Sequence, residues 1–302
     1  MKHVFSIVLV VLLVFGLAAC DSITQETETT KPSSVSYERD DGKDAQTEES
    51  NATSDKAVIR ETVLTDESGI KITAKQIVED SLFGVELKLL IENNTQKDIT
   101  VQARNVSVNG YMVETTMSVD VAAGKKANDS LTFLSSSLEA CGIQTIADME
   151  FSFHIFLSDG WKTLLDTKQI QLKTSAAEGY QYRYDNAGTT VYNANGMQIV
   201  AKGLSEDDSI FGPGLTLYLH NSTQTAVSVQ VRDVSVNGFM VDTVFSEDIM
   251  PGKHALASVT FLESDLEENN ISDIQEIEIS FHIFKTDGWD TIVDTNSIKL
   301  TF

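Results

Sequence analysis

Residues 105–113 read NVSVNGYMV and residues 151–167 read FSFHIFLSDGWKTLLDT; at 233–241 and 279–295 the chain reads DVSVNGFMV and ISFHIFKTDGWDTIVDT. Asn109 is answered by Asn237, His154 by His282 and Trp161 by Trp289, at one constant offset and without a gap. Roughly half of the residues from Asn105 to Leu172 recur, a length that means two copies of one folded unit and not a solenoid of short repeats. The copies therefore control each other: what both retain serves both.

What both retain has the periodicity of strands. In Val85–Ile91 every second residue is apolar, and Leu215, Leu217 and Leu219 repeat the pattern. Asn109-Gly110 and Asn237-Gly238 are hairpin turns, because Asn-Gly tolerates the positive φ angles of a type I′ turn. Such turns set Val108 opposite Tyr111 and Val106 opposite Val113, with Val236/Phe239 and Val234/Val241 alike, and Ser107 and Ser235 on the other side. About seven strands per copy, interrupted by a short helix or loop near 138–146 and 266–274, is the pattern of an all-β chain built as two tandem immunoglobulin-like β-sandwiches. The expected domains span 58–173 and 189–302. In the connector 174–188, Tyr180, Tyr182 and Tyr184 stand at strand spacing and are expected to begin a strand that fixes the angle between domains, with contact to a partner as the alternative.

A second hairpin carries the candidate site. If Asp159-Gly160 is a two-residue turn, Ser158 pairs with Trp161, Phe156 with Thr163 and His154 with Leu165. His154, Phe156, Trp161 and Leu165 then share one face, and Phe153, Ile155 and Leu164 the other. The second copy sets His282, Phe284, Trp289 and Val293 against Phe281, Ile283 and Ile292. A strand apolar on both faces is covered twice, or is core on one side and adhesive on the other. On one reading the His–Phe–Trp face binds a sugar ring or a partner chain, which makes His154, Phe156, Trp161, His282, Phe284 and Trp289 the candidate binding residues. On the other, tryptophan and histidine tuck beneath the helical segment, with the imidazole held by backbone.

The beginning of the chain sets an expected location. Lys2 and His3 precede an apolar run from Val4 to Leu17, which reads as an export signal over 1–19. The ending Leu17-Ala18-Ala19-Cys20 resembles the bacterial lipobox, which implies cleavage before Cys20, a diacylglycerol (palmitate-type) anchor on its sulfur, and residence on the outer face of the plasma membrane. Residues 20–57 are rich in Thr, Ser, Glu and Asp and are expected to form a disordered acidic tether. With Cys20 lipidated, only Cys141 is left; its counterpart is Asn269, so no disulfide belongs to the shared fold, which must stand on core burial.

A formal net charge of −23 argues against nucleic acid and against anionic surfaces as partners. The acidic runs Glu206-Asp207-Asp208 and Glu263-Ser264-Asp265 lack the glycine-centred loop of a calcium site and read as solvated surface. The remaining histidines, His220 and His254, answer Glu92 and Lys126 in the first copy, and no G-x-S-x-G elbow accompanies any histidine. Neither metal-ligand spacing nor a phosphate-cradling glycine loop is found. The expectation is a protein that is not an enzyme and uses no cofactor or metal.

The string of Asn93-x-Thr95, VSVNGYMV, GKK and FHIF…DGW resembles the immunoglobulin-like domains, some grouped with telokin-like domains, found in lipoproteins of Gram-positive anaerobes. The resemblance covers both copies and implies a fold and a lipoprotein setting, with no activity to carry over. The expected function is a membrane-anchored extracytoplasmic binding module for a protein or a cell-wall glycan; the alternative is a passive spacer or envelope-stress protein without a saturable ligand.

Overall fold

The computed structural model describes residues 57–79, 81–205 and 212–302. The expected signal peptide, Cys20, the tether as far as residue 56 and the acidic run Glu206–Asp208 lie outside the described residues.

Each copy is a β-sandwich. In the first, one sheet runs in the order Thr62–Glu67, Ile70–Val78, Gly84–Asn93, Lys126–Leu134, with the two-residue strand Thr115–Thr116 last. The facing sheet is centred on the antiparallel pair Ile99–Val108 and Asp148–Leu157. Tyr111–Met112 and Ser118–Val121 flank this pair on one side, and Thr163–Asp166 and Ile170–Lys173 on the other. The second copy repeats the arrangement around Val227–Val236 and Glu276–Lys285. Short pieces of this kind bring the strands of each copy to eleven, where about seven were expected. The helices, Ser135–Ala140 and Glu263–Glu268, begin slightly earlier than expected, and each is pinned by one buried leucine, Leu138 or Leu266.

Alternation fixes what faces inward. Leu87, Leu89 and Ile91 pack against Phe151, Phe153 and Ile155 in one core, while Leu215, Leu217, Leu219, Ile279, Phe281 and Ile283 lie in a second. The N-x-T motif ties the layers together. Asn93 Nδ2 donates to the carbonyls of Lys97 and Val121, and its Oδ1 accepts from the backbone and hydroxyl of Thr95; Asn221 makes the same set with Thr225, Ile249 and Thr223. A buried amide held this way satisfies carbonyls that the strand ends would otherwise leave orphaned. The outermost first strand of each copy carries a bulge at the same place, between Val63 and Thr65 and between Thr190 and Tyr192.

Both Asn-Gly turns have the expected form, with φ of 50° and 84° at Asn109-Gly110 and 50° and 85° at Asn237-Gly238. Val108 opposes Tyr111, and Val236 opposes Phe239. Beyond that the hairpins part company: Tyr111 is buried, whereas Phe239 is 49% exposed.

The difference is the junction between the copies. Tyr111 and His254 form a single parallel bridge, with His254 N donating to Gly110 O at 2.9 Å. It joins one sheet of each copy into a continuous hydrogen-bonded sheet. Tyr111, Val200 and Tyr218 make a third buried apolar cluster, packed by Cys141, Ile143 and Leu256. Lys253 and Glu150 pair across it at 2.6 Å. The connector tyrosines belong here, but not as a strand: they precede the first strand of the second copy, Thr189–Ala194, and bond through their hydroxyls. Asn109 Nδ2 donates to Tyr180 Oη at 2.9 Å, Tyr182 donates to Asp148, and Tyr184 donates to Asn109 O at 3.3 Å. The Tyr184 ring stacks on His254 with centroids 3.6 Å apart.

Two predictions follow from this junction. A methyl at Gly110 would meet the Tyr184 hydroxyl at 2.4 Å, whereas one at Gly238 meets nothing within 4 Å. Both alanine variants bear the left-handed penalty of about 1 kcal/mol. Gly110→Ala is expected to lose a further 1–3 kcal/mol or so by overpacking, and equal losses in denaturant unfolding would remove Tyr184 from the junction.

The second concerns pH. Burial, then His220 and Lys253, hold His254 down to about 4, below its ordinary 6.5. The unfolded chain therefore takes up a proton first, and the stability from neutral His254 is lost as pH falls from 6.5 towards 4, on the order of 2–3 kcal/mol. Glu247 acts in the opposite sense: burial, then Asp248 and Glu114, raise it to about 7 from 4.5, so its contribution is lost as pH rises through that window. His254→Gln should remove the acid-side loss and Glu247→Gln should steepen it; pH-stability curves that stay parallel to the parent would refute both assignments.

Candidate functional site

The second hairpin builds an aromatic stack in each copy. Phe156 projects from the outer face of the central strand, His154 lies beside it with centroids 5.2 Å apart, and Trp161 lies almost flat on it at 5.2 Å and 16°. His282, Phe284 and Trp289 repeat this at 4.9 Å and at 5.3 Å and 14°. Phe156 and Phe284 are buried beneath their indoles, yet Trp161 and Trp289 are 78% and 74% exposed. All six candidate residues are thus brought together, three per copy. Neither tryptophan is tucked under the helix, and neither imidazole is held by backbone: His154 Nδ1 lies 2.5 Å from Asp166 Oδ1, and His282 Nδ1 2.5 Å from Asp294 Oδ1.

The loop geometry corrects the expected register. Leu157 N donates to Lys162 O and Trp161 N to Leu157 O, so the loop holds four residues, Ser158–Trp161, and not two. A two-residue type I′ turn would need positive φ at Asp159 and Gly160; the left-handed residue is Trp161 itself, at 57°, and in the second copy Trp289 at 60°, there together with Gly288 at 87°. Thr163 still opposes Phe156, but a bulge follows, so that Leu165 faces Ile155 and Asp166 faces His154. The expected pairing of His154 with Leu165 is therefore wrong, and so are the faces: Leu165 packs against the core and Leu164 is exposed.

Neighbouring strands hold the loop in place. Thr100 Oγ1 bonds Asp120 at 2.6 Å and Ser158 Oγ at 2.9 Å; Ser228 makes the same relay to Asp248 and Thr286. Thr167 Oγ1 accepts from Phe153 N, as Thr295 does from Phe281 N. The repeated Asp-Thr pair at 166–167 and 294–295 was the sequence signal for these partners: the aspartate positions the imidazole and the threonine closes the backbone beside it.

A left-handed tryptophan is an uncommon conformation that persists only where its surroundings impose it. Here it lays one indole face on phenylalanine and presents the other to solvent. Such a platform can stack on the C–H face of a sugar, on an aromatic ring, or on a cation.

Other chemistry-bearing groups are placed elsewhere. His220 stacks on His254 at 4.2 Å inside the junction. Cys141 packs there too, its thiol pushed up to about 12 by burial and then by Glu247, which makes it a packing residue and a poor nucleophile. No group of three or more potential metal ligands occurs among the described residues.

No protein-family model matches the chain, and no curated protein matches it. Among solved structures, the YadV chaperone is 14% identical, with 77% of this chain and 100% of that chain covered and a TM-score of 0.24. The Salmonella enterica SafA pilin in complex with the SafB chaperone is 11% identical over 72% and 89%, at 0.20. A Porphyromonas gingivalis W83 protein is 12% identical over 80% and 96%, at 0.21. Likenesses this weak carry no argument about function.

The strain at the tryptophan is testable. Trp161→Ala removes the shield over Phe156 and keeps a left-handed residue with a Cβ; Trp161→Gly removes both. The glycine variant is expected to be the more stable by about 1 kcal/mol, against the usual order of these residues in strands. An alanine variant as stable as or more stable than the glycine variant in thermal unfolding would mean that the loop is not held left-handed.

Proposed function

We propose that the protein is a lipid-anchored extracytoplasmic lipoprotein, carried on Cys20, whose two immunoglobulin-like (telokin-like) sandwiches act without catalysis as an interaction module. The single observation behind this reading is the pair of exposed indoles, each stacked on a buried phenylalanine and each at positive φ. The ligand class that fits is a pyranose ring of a wall glycan or an exposed side chain of a partner protein, bound on that face.

Anchoring supports the same reading. The LAAC sequence that ends at Cys20 and the acidic segment after it fit a protein tethered at a membrane and held off its surface. Two platforms on one chain raise the effective concentration of the second contact once the first has formed, which suits a repeating polymer or a clustered partner.

In-cell photo-crosslinking tests the proposal, with a reactive side chain placed beside Trp161 and, separately, beside Trp289. A discrete adduct, identified by mass spectrometry and lost in the Trp161→Ala/Trp289→Ala chain, is the expected result. Diffuse background at both positions on folded protein would return the stacks to the framework and leave a spacer as the better account.

A further inference from the structure

The two copies also differ in what fills one groove. In the first copy the connector crosses the end of the sandwich beside the Asn109-Gly110 hairpin. Asn109 spends its amide on the framework, donating to Thr145 O and accepting from Ala147 N and Asp148 N, and gives its other Nδ2 hydrogen to Tyr180 Oη. Asp148 accepts from Tyr182, and Tyr111 takes the edge of Tyr184 at 5.3 Å. Three tyrosines at alternate positions thus read one asparagine, one carboxylate and one aromatic ring, the third also stacking on His254 of the second copy.

The second copy rebuilds the frame of this slot. Asn237 donates to Asp273 O at 2.8 Å and accepts from Gln275 N and Glu276 N at 3.0 and 3.1 Å. Glu276 stands where Asp148 does, and Phe239 where Tyr111 does. Here the slot is an open groove of about 690 Å³ lined by Asn237, Phe239, Ile271, Asp273, Glu276 and Thr301. Glu276 gives one oxygen to Lys299 at 2.6 Å and keeps the other. Above Gly238 the space that Tyr184 takes over Gly110 is clear.

We infer that this groove is a docking site for an extended peptide segment of a partner protein carrying tyrosines at alternate positions. Its occupant is read from the same frame in the first copy, where such a segment lies. A second copy of this chain stacked end to end is a poorer occupant. The face that receives the first hairpin uses Tyr218, His220, His254 and Leu256, and the corresponding first-copy positions are Leu90, Glu92, Lys126 and Asn128, with Lys126 and Glu92 ion-paired. The groove is independent of the tryptophan platforms, so either can fail alone.

The connector supplies the probe: a fluorescent peptide of residues 175–186, SAAEGYQYRYDN, titrated into the full chain and followed by anisotropy. Saturable binding is expected, weakened about tenfold or more when the three peptide tyrosines become alanine, and equally by Phe239→Arg in the protein. Phe239 is half exposed, so the variant should fold, and circular dichroism with an unchanged unfolding midpoint checks this. Binding should survive Trp161→Ala/Trp289→Ala. No saturation, or binding indifferent to both the peptide tyrosines and Phe239, would overturn the inference. Self-association of the full chain that Phe239→Arg abolishes would hand the groove to a second copy and overturn the assignment to a different partner.

Discussion

One asparagine per copy holds the architecture in register. Asn109 and Asn237 take the left-handed corner of a hairpin with their backbone and, with their side-chain amide, close the loop that leads into the central strand. The same residue therefore fixes where the hairpin turns and where the strand bearing histidine and phenylalanine begins. No aliphatic substitute could do both, since it would abandon one carbonyl and two backbone donors at once. In both copies the amide has a second hydrogen to give; in the first the connector takes it through Tyr180, beside the bonds of Tyr182 and Tyr184.

Most of the framework was legible because it is written twice. Alternation in Val85–Ile91 and the two Asn-Gly turns gave strands, faces and one hairpin register correctly. The tryptophan hairpin was read with histidine, phenylalanine and tryptophan correctly together, but with the wrong register and with Leu164 and Leu165 on the wrong faces. A period of two makes any strand reading hostage to a single inserted residue, and the bulge after Thr163 supplies one. The connector misled for another reason. Tyrosines at every second position look like a strand, yet an extended segment joins a sheet only if a neighbour offers backbone, and these offer and receive side-chain bonds instead.

The junction was illegible for the reason that made the rest clear. Comparing copies discards residues that differ, and an asymmetric contact between equivalent units must be built from differences. Tyr218, His220 and His254 stand where the first copy has Leu90, Glu92 and Lys126, so they looked like drift. Placed in the fold they are neighbours, stacked with Tyr184 beneath the first hairpin. Divergence between the repeats marks where one copy receives the other, as surely as identity marks what each needs to fold.

The bulges in the first strands bear on how such molecules coexist at high density. Thr62–Glu67 and Thr189–Ala194 are edge strands, and an unpaired edge is a template on which another chain can grow a sheet. In each, one residue, Leu64 or Val191, is squeezed out of the ladder, which breaks the regular spacing of free donors and acceptors. Without the bulge each would offer a regular border for aggregation. The kink interrupts it, and the surplus of negative charge keeps like molecules apart, so the chain can be packed closely without polymerising through its own edges.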